Sequence, residues 1–395
     1  MTGSRVSALR HRLLRREPWL LAALVLALFL PGLGSRDLWN PDEPRYAEVA
    51  REMVATGEFF VPHLNGRLYS EKPPLQFWAI AFFSLFTGGV DETAARLPAV
   101  ASVTAATLLL FAIGRRLFDR EAAWLAALAF LSCAKILWQG RVGQIDMLLV
   151  ALVTIAMYFW TRGWLERRPG FYALFFLAAG FATVAKGPVG LLPPLLSVVT
   201  FLLWTRQAPR LREMRIGRGL ALWALPVLAW IGPATLVAGP GYLHTMVFRQ
   251  SVQRFADPWH HFQPWHYYLG VVAGDFLPWS LLLPGALVAG FATLRGARRD
   301  AFRLALCWVV VTLVFFSLSP AKRSVYILTM YPGLALLVGA GLVELARAWP
   351  RRRAWALAPL AALAGLFALG VVALPFVAAR RADELAALGA EVPWR

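Results

Sequence analysis

Twelve apolar stretches follow one another along this chain, near residues 19–34, 75–88, 94–117, 121–139, 145–165, 170–186, 188–205, 218–238, 268–292, 302–318, 325–346 and 354–378. A helix needs about 20 apolar residues to cross the hydrocarbon core of a bilayer, and most of these stretches are of that order. In water they would have to be hidden inside a soluble fold. With 59% of 395 residues apolar and only 16% charged, such a fold has too little polar surface to cover them. In a bilayer the backbone of each span satisfies its own hydrogen bonds, which leaves helices and closed barrels as the spanning structures. Continuous apolar runs, rather than alternating ones, select helices. The expected class is therefore all-α and integral to the membrane.

Charge sets the topology. The net charge is +18. An excess of Lys and Arg in a membrane chain reads as topogenic, because basic residues collect in cytoplasmic loops. A nucleic-acid partner is not expected, since no basic patch is set in a soluble fold. Residues 1–17 carry Arg5, Arg10, Arg12, Arg15 and Arg16 and form a cytoplasmic tail. They precede an uncleaved first span rather than a removable signal, since everything downstream is also membrane. If all twelve stretches crossed, Arg115-Arg116 and the basic loops at 206–218, 295–299 and 347–353 would lie outside. If 75–88, short for a crossing, lies in the interface instead, all four loops fall inside. About eleven spans result, within a transmembrane region 18–378. Two long extracytoplasmic loops follow, 35–93 with two interfacial helices and 239–267, and the short tail 379–395 ends the chain outside. Cys133 and Cys307 both sit in apolar runs and read as buried free thiols.

The first loop concentrates the polar chemistry that the rest of the chain lacks. Asn40-Pro41-Asp42-Glu43 reads as a helix start, with Asn40 as N-cap, Pro41 at the first position and Glu43 in capping-box position. Gly57 reads as its stop. Asp42, Arg45 and Tyr46 then share a face, and Tyr46, Ala50, Met53 and Val54 make an apolar stripe that could lie on the membrane surface. A second cluster, Tyr69-Ser70-Glu71-Lys72, stands before Pro73-Pro74 and the apolar run that begins at Leu75.

The pattern N-P-D-E-P-R-Y-A-E followed by Y-x-E-K-P resembles bacterial membrane glycosyltransferases of the C-type fold. The likeness is to lipid A aminoarabinose transferases and to the wider group that includes protein mannosyltransferases. It covers about residues 18–346, and the longer relatives add a soluble C-terminal domain that this chain is expected to lack. The resemblance implies a sugar donor carried on a polyprenyl phosphate and a lipid or glycan acceptor. It implies inversion by a single displacement, and it marks Asp42 and Asp146 as site carboxylates, with Asp42 essential. It also implies that Lys72 contacts the lipid phosphate.

The residues themselves admit that chemistry. A phosphodiester needs cations to hold it and to stabilise the leaving phosphate, and Arg45, Lys72, Lys186 and Lys322 are candidates on the outer side. Asp42, near a helix N-terminus that favours its charge, can accept a proton or orient an acceptor. Glu43, Tyr46, Tyr69, Arg254 and Tyr326 are candidate substrate contacts. A divalent metal is a possible cofactor. In the resembled transferases the Glu at the Glu71 position pairs with a His, but here that later motif reads Gln250-Ser251-Val252-Gln253-Arg254-Phe255, with Ser251 at the His position. A metal site would then rest on Glu71 and a nearby histidine, His260 first, with His261 and His266 as neighbours. Other classes fit less well. A flippase for lipid-linked saccharides would carry such groups near the midplane in broken helices. A scaffold would leave the clustered charges unexplained. Within the transferase reading, a protein hydroxyl remains an alternative acceptor. The expected location is the bacterial inner membrane, with the site on its outer side.

Overall fold

The computed structural model describes residues 2–246, 261–348 and 365. Helix α1 (Thr2–Phe29) takes in the basic tail and leads to α2 (Asp42–Thr56), a two-residue hairpin of β1 (His63–Leu64) and β2 (Arg67–Leu68), and α3 (Leu75–Thr87). Next come α4 (Glu92–Leu117), α5 (Arg120–Ser132), α6 (Ala134–Gln139), α7 (Ile145–Glu166) and α8 (Pro169–Lys186). The bundle continues through α9 (Leu192–Trp204), α10 (Ile216–Ala238) and α11 (Pro240–His244). It then runs through α12 (Tyr267–Asp275), α13 (Leu283–Thr293), α14 (Gly296–Leu318) and α15 (Tyr331–Ala348).

Six segments among the described residues are long and apolar enough to cross a membrane unaided: α4, α7, α8, α10, α14 and Ser324–Ala348, which is a 3-10 turn running into α15. The expected last span, 354–378, and the tail 379–395 lie outside the described residues.

The caps follow the sequence. Asp91 and Asp119 accept hydrogen bonds from the backbone N–H groups of Ala94 and Ala122 at 2.7 and 2.9 Å, opening α4 and α5. One large core joins α1, α4, α5, α7, α8, α14 and α15. Small residues allow close approach inside it. A Cβ on Gly339 of α15 would stand 2.5 Å from the Ala122 carbonyl oxygen of α5, so only glycine lets the two backbones meet.

The ends of α4 fix the two polar poles of the bundle. Near its start Arg96 meets Glu43, and near its end Arg115 meets Glu17 at 3.1 Å. The intervening turns span about 28 Å at 1.5 Å per residue, close to the hydrocarbon thickness. At the Arg115 pole, Arg298 and Arg347 gather on Asp119, and Arg347 also pairs with Glu121 at 2.6 Å. The basic loops therefore collect at one end, and the first loop sits at the other.

Four local expectations are corrected. Asn40 does not cap α2. The helix starts at Asp42 after Pro41, with no side-chain cap, and the Glu43 carboxylate reaches back to the Trp39 N–H at 2.6 Å. The stop at Gly57 holds, with φ +74° and its N–H donating to Met53. The apolar stripe of α2 faces protein: Tyr46, Val49, Ala50 and Met53 pack with Tyr69, Phe77 and Ile80, while Val54 is exposed. The stretches 121–139 and 268–292 are not continuous helices. The first breaks at Cys133 and the second at Phe276–Leu282, where Pro278 has no N–H to give a helix. The two breaks serve each other, since the Ala134 N–H donates to the Leu277 carbonyl at 2.9 Å. Irregular backbone at this depth survives only when so satisfied.

The Glu43–Arg96 pair is the tie between the first loop and the bundle. Both side chains are fully buried. The guanidinium donates to both carboxylate oxygens at 2.9 and 2.8 Å, and its remaining N–H groups reach the carbonyls of Leu33, Arg36 and Asp37. Burial by itself would push the Glu43 carboxyl up. The bonds from Arg96 and from the Gly143 and Trp39 N–H groups outweigh it and hold the carboxyl below its usual range. A depressed folded-state pKa adds stability that is present above the unfolded value, roughly pH 4.3, and is lost as pH falls through the folded value. We therefore predict that Glu43→Ala, which strands a buried guanidinium, destabilises the purified protein by about 3–5 kcal/mol. In thermal unfolding, Glu43→Gln should also flatten the loss of stability on acidification below about pH 4. A Tm and acid profile like the wild type's in both variants would refute the clamp.

Candidate functional site

Asp42 stands on the first turn of α2, one residue before the clamp, so the buried Glu43 fixes where its carboxylate can point. That carboxylate is only 13% exposed. Its Oδ2 accepts a hydrogen bond from Gln144 Nε2 at 2.9 Å and lies 3.7 Å from the Arg323 guanidinium. Its Oδ1 lies 4.0 Å from Arg45. Gln144 is itself steadied, since its Oε1 accepts from the buried Gln139 at 2.7 Å. An amide chain, Gln139 to Gln144 to Asp42, thus orients the acid.

Arg45 leads to the second motif of the loop. It stands 3.7 Å from Glu71, and the Tyr69 hydroxyl lies close by. Burial works against the Arg45 charge, but Tyr69, Glu71 and Asp42 outweigh it and raise its pKa above the ordinary value. Burial, with Glu71 adding to it, raises Tyr69 in turn, so its hydroxyl stays protonated. Lys72 follows Glu71 directly and is half-buried.

A third set comes from two helix ends. Asp146 sits in the first turn of α7 and Lys186 is the last residue of α8, and the two form an ion pair. Each charge has the sign its helix end favours. Lys186 also stands 5.1 Å above the Tyr326 ring. Tyr46 links the sets. It is buried on α2, and after burial itself the charges of Asp42, Tyr69 and Asp146 raise its pKa, so it too remains a donor.

The structure thus gathers Asp42, Arg45, Tyr46, Tyr69, Glu71, Asp146, Lys186 and Tyr326 at one pole, with Lys72 beside them in the chain. Two expected roles are corrected. Glu43 has no accessible face and both oxygens are used, so it is a structural tie and not a substrate contact. Lys322 is 4% exposed and gives its ammonium to the carbonyls of Ser319 and Gln263, at 2.7 and 3.1 Å, pinning 261–263 onto 319–322. Its neighbour Arg323 is the cation that reaches Asp42. Arg254 and His260 lie outside the described residues. Glu71 is engaged by Arg45, and no group of three metal-type ligands forms among the described residues.

Sequence reasoning missed Arg96, Lys135 and Asp275. Lys135 was legible in principle, as a lone cation inside the apolar run 121–139. It bonds the Ser324 hydroxyl at 2.8 Å and pairs with Asp275 at 3.5 Å.

Residues 71–231 match a family model described as dolichyl-phosphate-mannose-protein mannosyltransferase. The chain is 34% identical over 362 residues to an undecaprenyl phosphate-alpha-4-amino-4-deoxy-L-arabinose arabinosyl transferase of Aeromonas hydrophila, a match covering 90% of this chain and 65% of that relative. A second transferase of that description, from Sodalis glossinidius, is 36% identical, with 80% of this chain and 58% of the relative covered. The chain therefore spans less than two thirds of the length of these relatives. In fold it is similar to crystalline ArnT from Cupriavidus metallidurans bound to undecaprenyl phosphate, with TM-score 0.80 and 29% identity, covering 91% of this chain and 65% of that one. The Archaeoglobus fulgidus oligosaccharyltransferase shares the fold alone, with TM-score 0.53 and 12% identity over 89% of this chain and 53% of the other. In sequence, fold and family model the chain is similar to the C-type membrane glycosyltransferases of the aminoarabinose and protein mannosyltransferase group.

Proposed function

We propose that the protein moves a sugar, a pentose or hexose, from a polyprenyl-phosphate carrier to lipid A or another envelope glycolipid, at the outer face of the bacterial inner membrane. The observation that carries this reading is the position of Asp42. One of its oxygens faces Arg45, beside the Glu71-Lys72 motif, and the other faces Arg323 and Gln144. A carboxylate with a cation near each oxygen suits a reaction that runs between two anionic lipids. The likeness to a transferase bound to undecaprenyl phosphate supports the choice of carrier.

In the proposed reaction the bond between the anomeric carbon and the carrier phosphate breaks, and a bond from an acceptor oxygen forms on the opposite face. The configuration inverts. Arg45, Lys72 and Lys186 take up the negative charge that develops on the leaving phosphate. Arg45 and Lys186 already have carboxylate partners, so the donor phosphate competes with Glu71 and Asp146 for them. That exchange keeps the cations in position without leaving them bare in a low-dielectric site. If the acceptor is a hydroxyl, Asp42 receives its proton. If it is a phosphate, the nucleophile is already an anion, and Asp42 orients it against the sugar.

The topology proposed with this reading has about eleven spans, with α2 and α3 in the outer loop. A reporter enzyme fused after Asp91 should then read extracytoplasmic, and a cytoplasmic signal would overturn the arrangement. On the chemistry, Asp42→Asn and Lys72→Ala should each lower transfer by at least about 100-fold with expression intact. Gln144→Ala should cost less, since it frees Asp42 without removing it. Mass spectrometry of envelope lipids from cells with and without the gene reads the product directly. An unchanged lipid profile would sink the proposal, and full transfer by either Asp42→Asn or Lys72→Ala would remove that residue from the site.

A further inference from the structure

A polar cavity of about 320 Å³ lies next to Asp42, and the transfer chemistry above assigns it no ligand. Its lining includes Lys135, Lys322, Arg323, Ser324, Gln144 and Tyr267. Two of these, Gln144 and Arg323, are the groups that face Asp42 Oδ2. The cavity and the Arg45 cluster thus meet the same carboxylate through different oxygens.

Its electrostatics suit an anion. Three cations line it, and the described carboxylates beside them are Asp275 on Lys135 and Asp42 on Arg323. Lys322 gives two of its hydrogen bonds to carbonyls. Lys135 is the most informative member. Its side chain is 14% exposed and comes from the break between α5 and α6, where the interrupted helix turns it inward. Asp275 and Ser324 hold it from two other elements, α12 and the 3-10 turn before α15. A lysine meant only to anchor the bundle needs no cavity in front of it, and one meant to snorkel would reach outward to the headgroups. The volume is at the small end of ligand sites, enough for a headgroup fragment but not for an acyl chain.

We propose that this cavity is the subsite for an oxyanion group of the acceptor, a phosphate on its headgroup, with Lys135 and Arg323 as its cations. The proposal rests on the transfer reading. An inverting displacement needs the leaving phosphate and the incoming oxygen at separate positions about the sugar carbon, and the two cation clusters meet Asp42 through different oxygens. Asp275 and Ser324 are positioning residues that aim the Lys135 ammonium.

Direct binding tests it without requiring turnover. The full chain is placed in phosphatidylcholine nanodiscs and titrated separately with diphosphorylated lipid A, with its fully dephosphorylated form, and with undecaprenyl phosphate. Wild-type protein should bind the phosphorylated lipid A at least tenfold more tightly than the dephosphorylated one. Lys135→Met should remove most of that difference while changing undecaprenyl phosphate affinity by less than twofold. Lys135→Arg should restore part of it. Ser324→Ala, a milder change that leaves the bundle intact, should weaken phosphorylated lipid A alone, by a few-fold. The proposal falls if wild type does not distinguish the two forms of lipid A, if Lys135→Met leaves the difference intact, or if it weakens undecaprenyl phosphate instead. The two readings separate in one case: phosphate-dependent binding that needs Lys135, in a protein that transfers no sugar, upholds the subsite and ends the transfer reading.

Discussion

The Glu43–Arg96 pair organises the pole of this protein that carries the first loop. It joins residues 53 apart in the chain, with both side chains out of solvent. A buried pair of this kind is a weak source of net stability, because desolvation consumes most of the Coulombic gain. Its value here is geometric. Arg96 distributes its donors over the carboxylate and three carbonyls of the segment 33–37, so the loop that leaves α1 has one way to sit. Glu43 adds the N–H groups of Trp39 and Gly143, which brings the start of α2 against the start of α7. Asp42, Gln144 and Asp146 fall within reach of the site because their immediate neighbours are held in this way.

The second organising feature is broken helices. α5 and α6 part at Cys133, and α12 and α13 part around Pro278, where continuous spans would have been the simpler fold. Each break releases backbone groups that a bilayer cannot satisfy, and the Ala134–Leu277 bond answers part of that need. What the breaks gain is direction. They turn Lys135 toward both Asp275 and Ser324, which uninterrupted helices facing lipid would not do.

Much of this was legible from residue order, and the illegible part has a physical cause. Asp42, Arg45 and Tyr46 share a helix face by spacing alone, and Asp146 and Lys186 could be matched because two helices joined by a short turn put their far ends together. Gly57 stopped α2 as its missing side chain suggests. The role of Glu43 was misread, since a capping position says nothing of a partner far along the chain. An arginine near the start of a span looks the same whether it meets headgroups or a buried acid, and only tertiary packing separates Arg96 from the topogenic arginines at the other pole. The break at Cys133 carries no Pro or Gly signal, so 121–139 read as one span and Lys135 was lost within it. That Arg323 and not the adjacent Lys322 reaches Asp42 is a matter of side-chain direction, which sequence spacing in a loop does not fix.

A buried ion pair with no accessible face decides where Asp42 stands. A double-mutant cycle on transfer rate tests it most directly, using purified wild type, Glu43→Gln, Arg96→Gln and the double variant with an undecaprenyl-phosphate sugar donor. Residues acting as one unit are strongly non-additive, so the double variant should transfer no more slowly than the slower single one. If the two losses multiply, or if either single variant transfers at the wild-type rate, the clamp does not position the site.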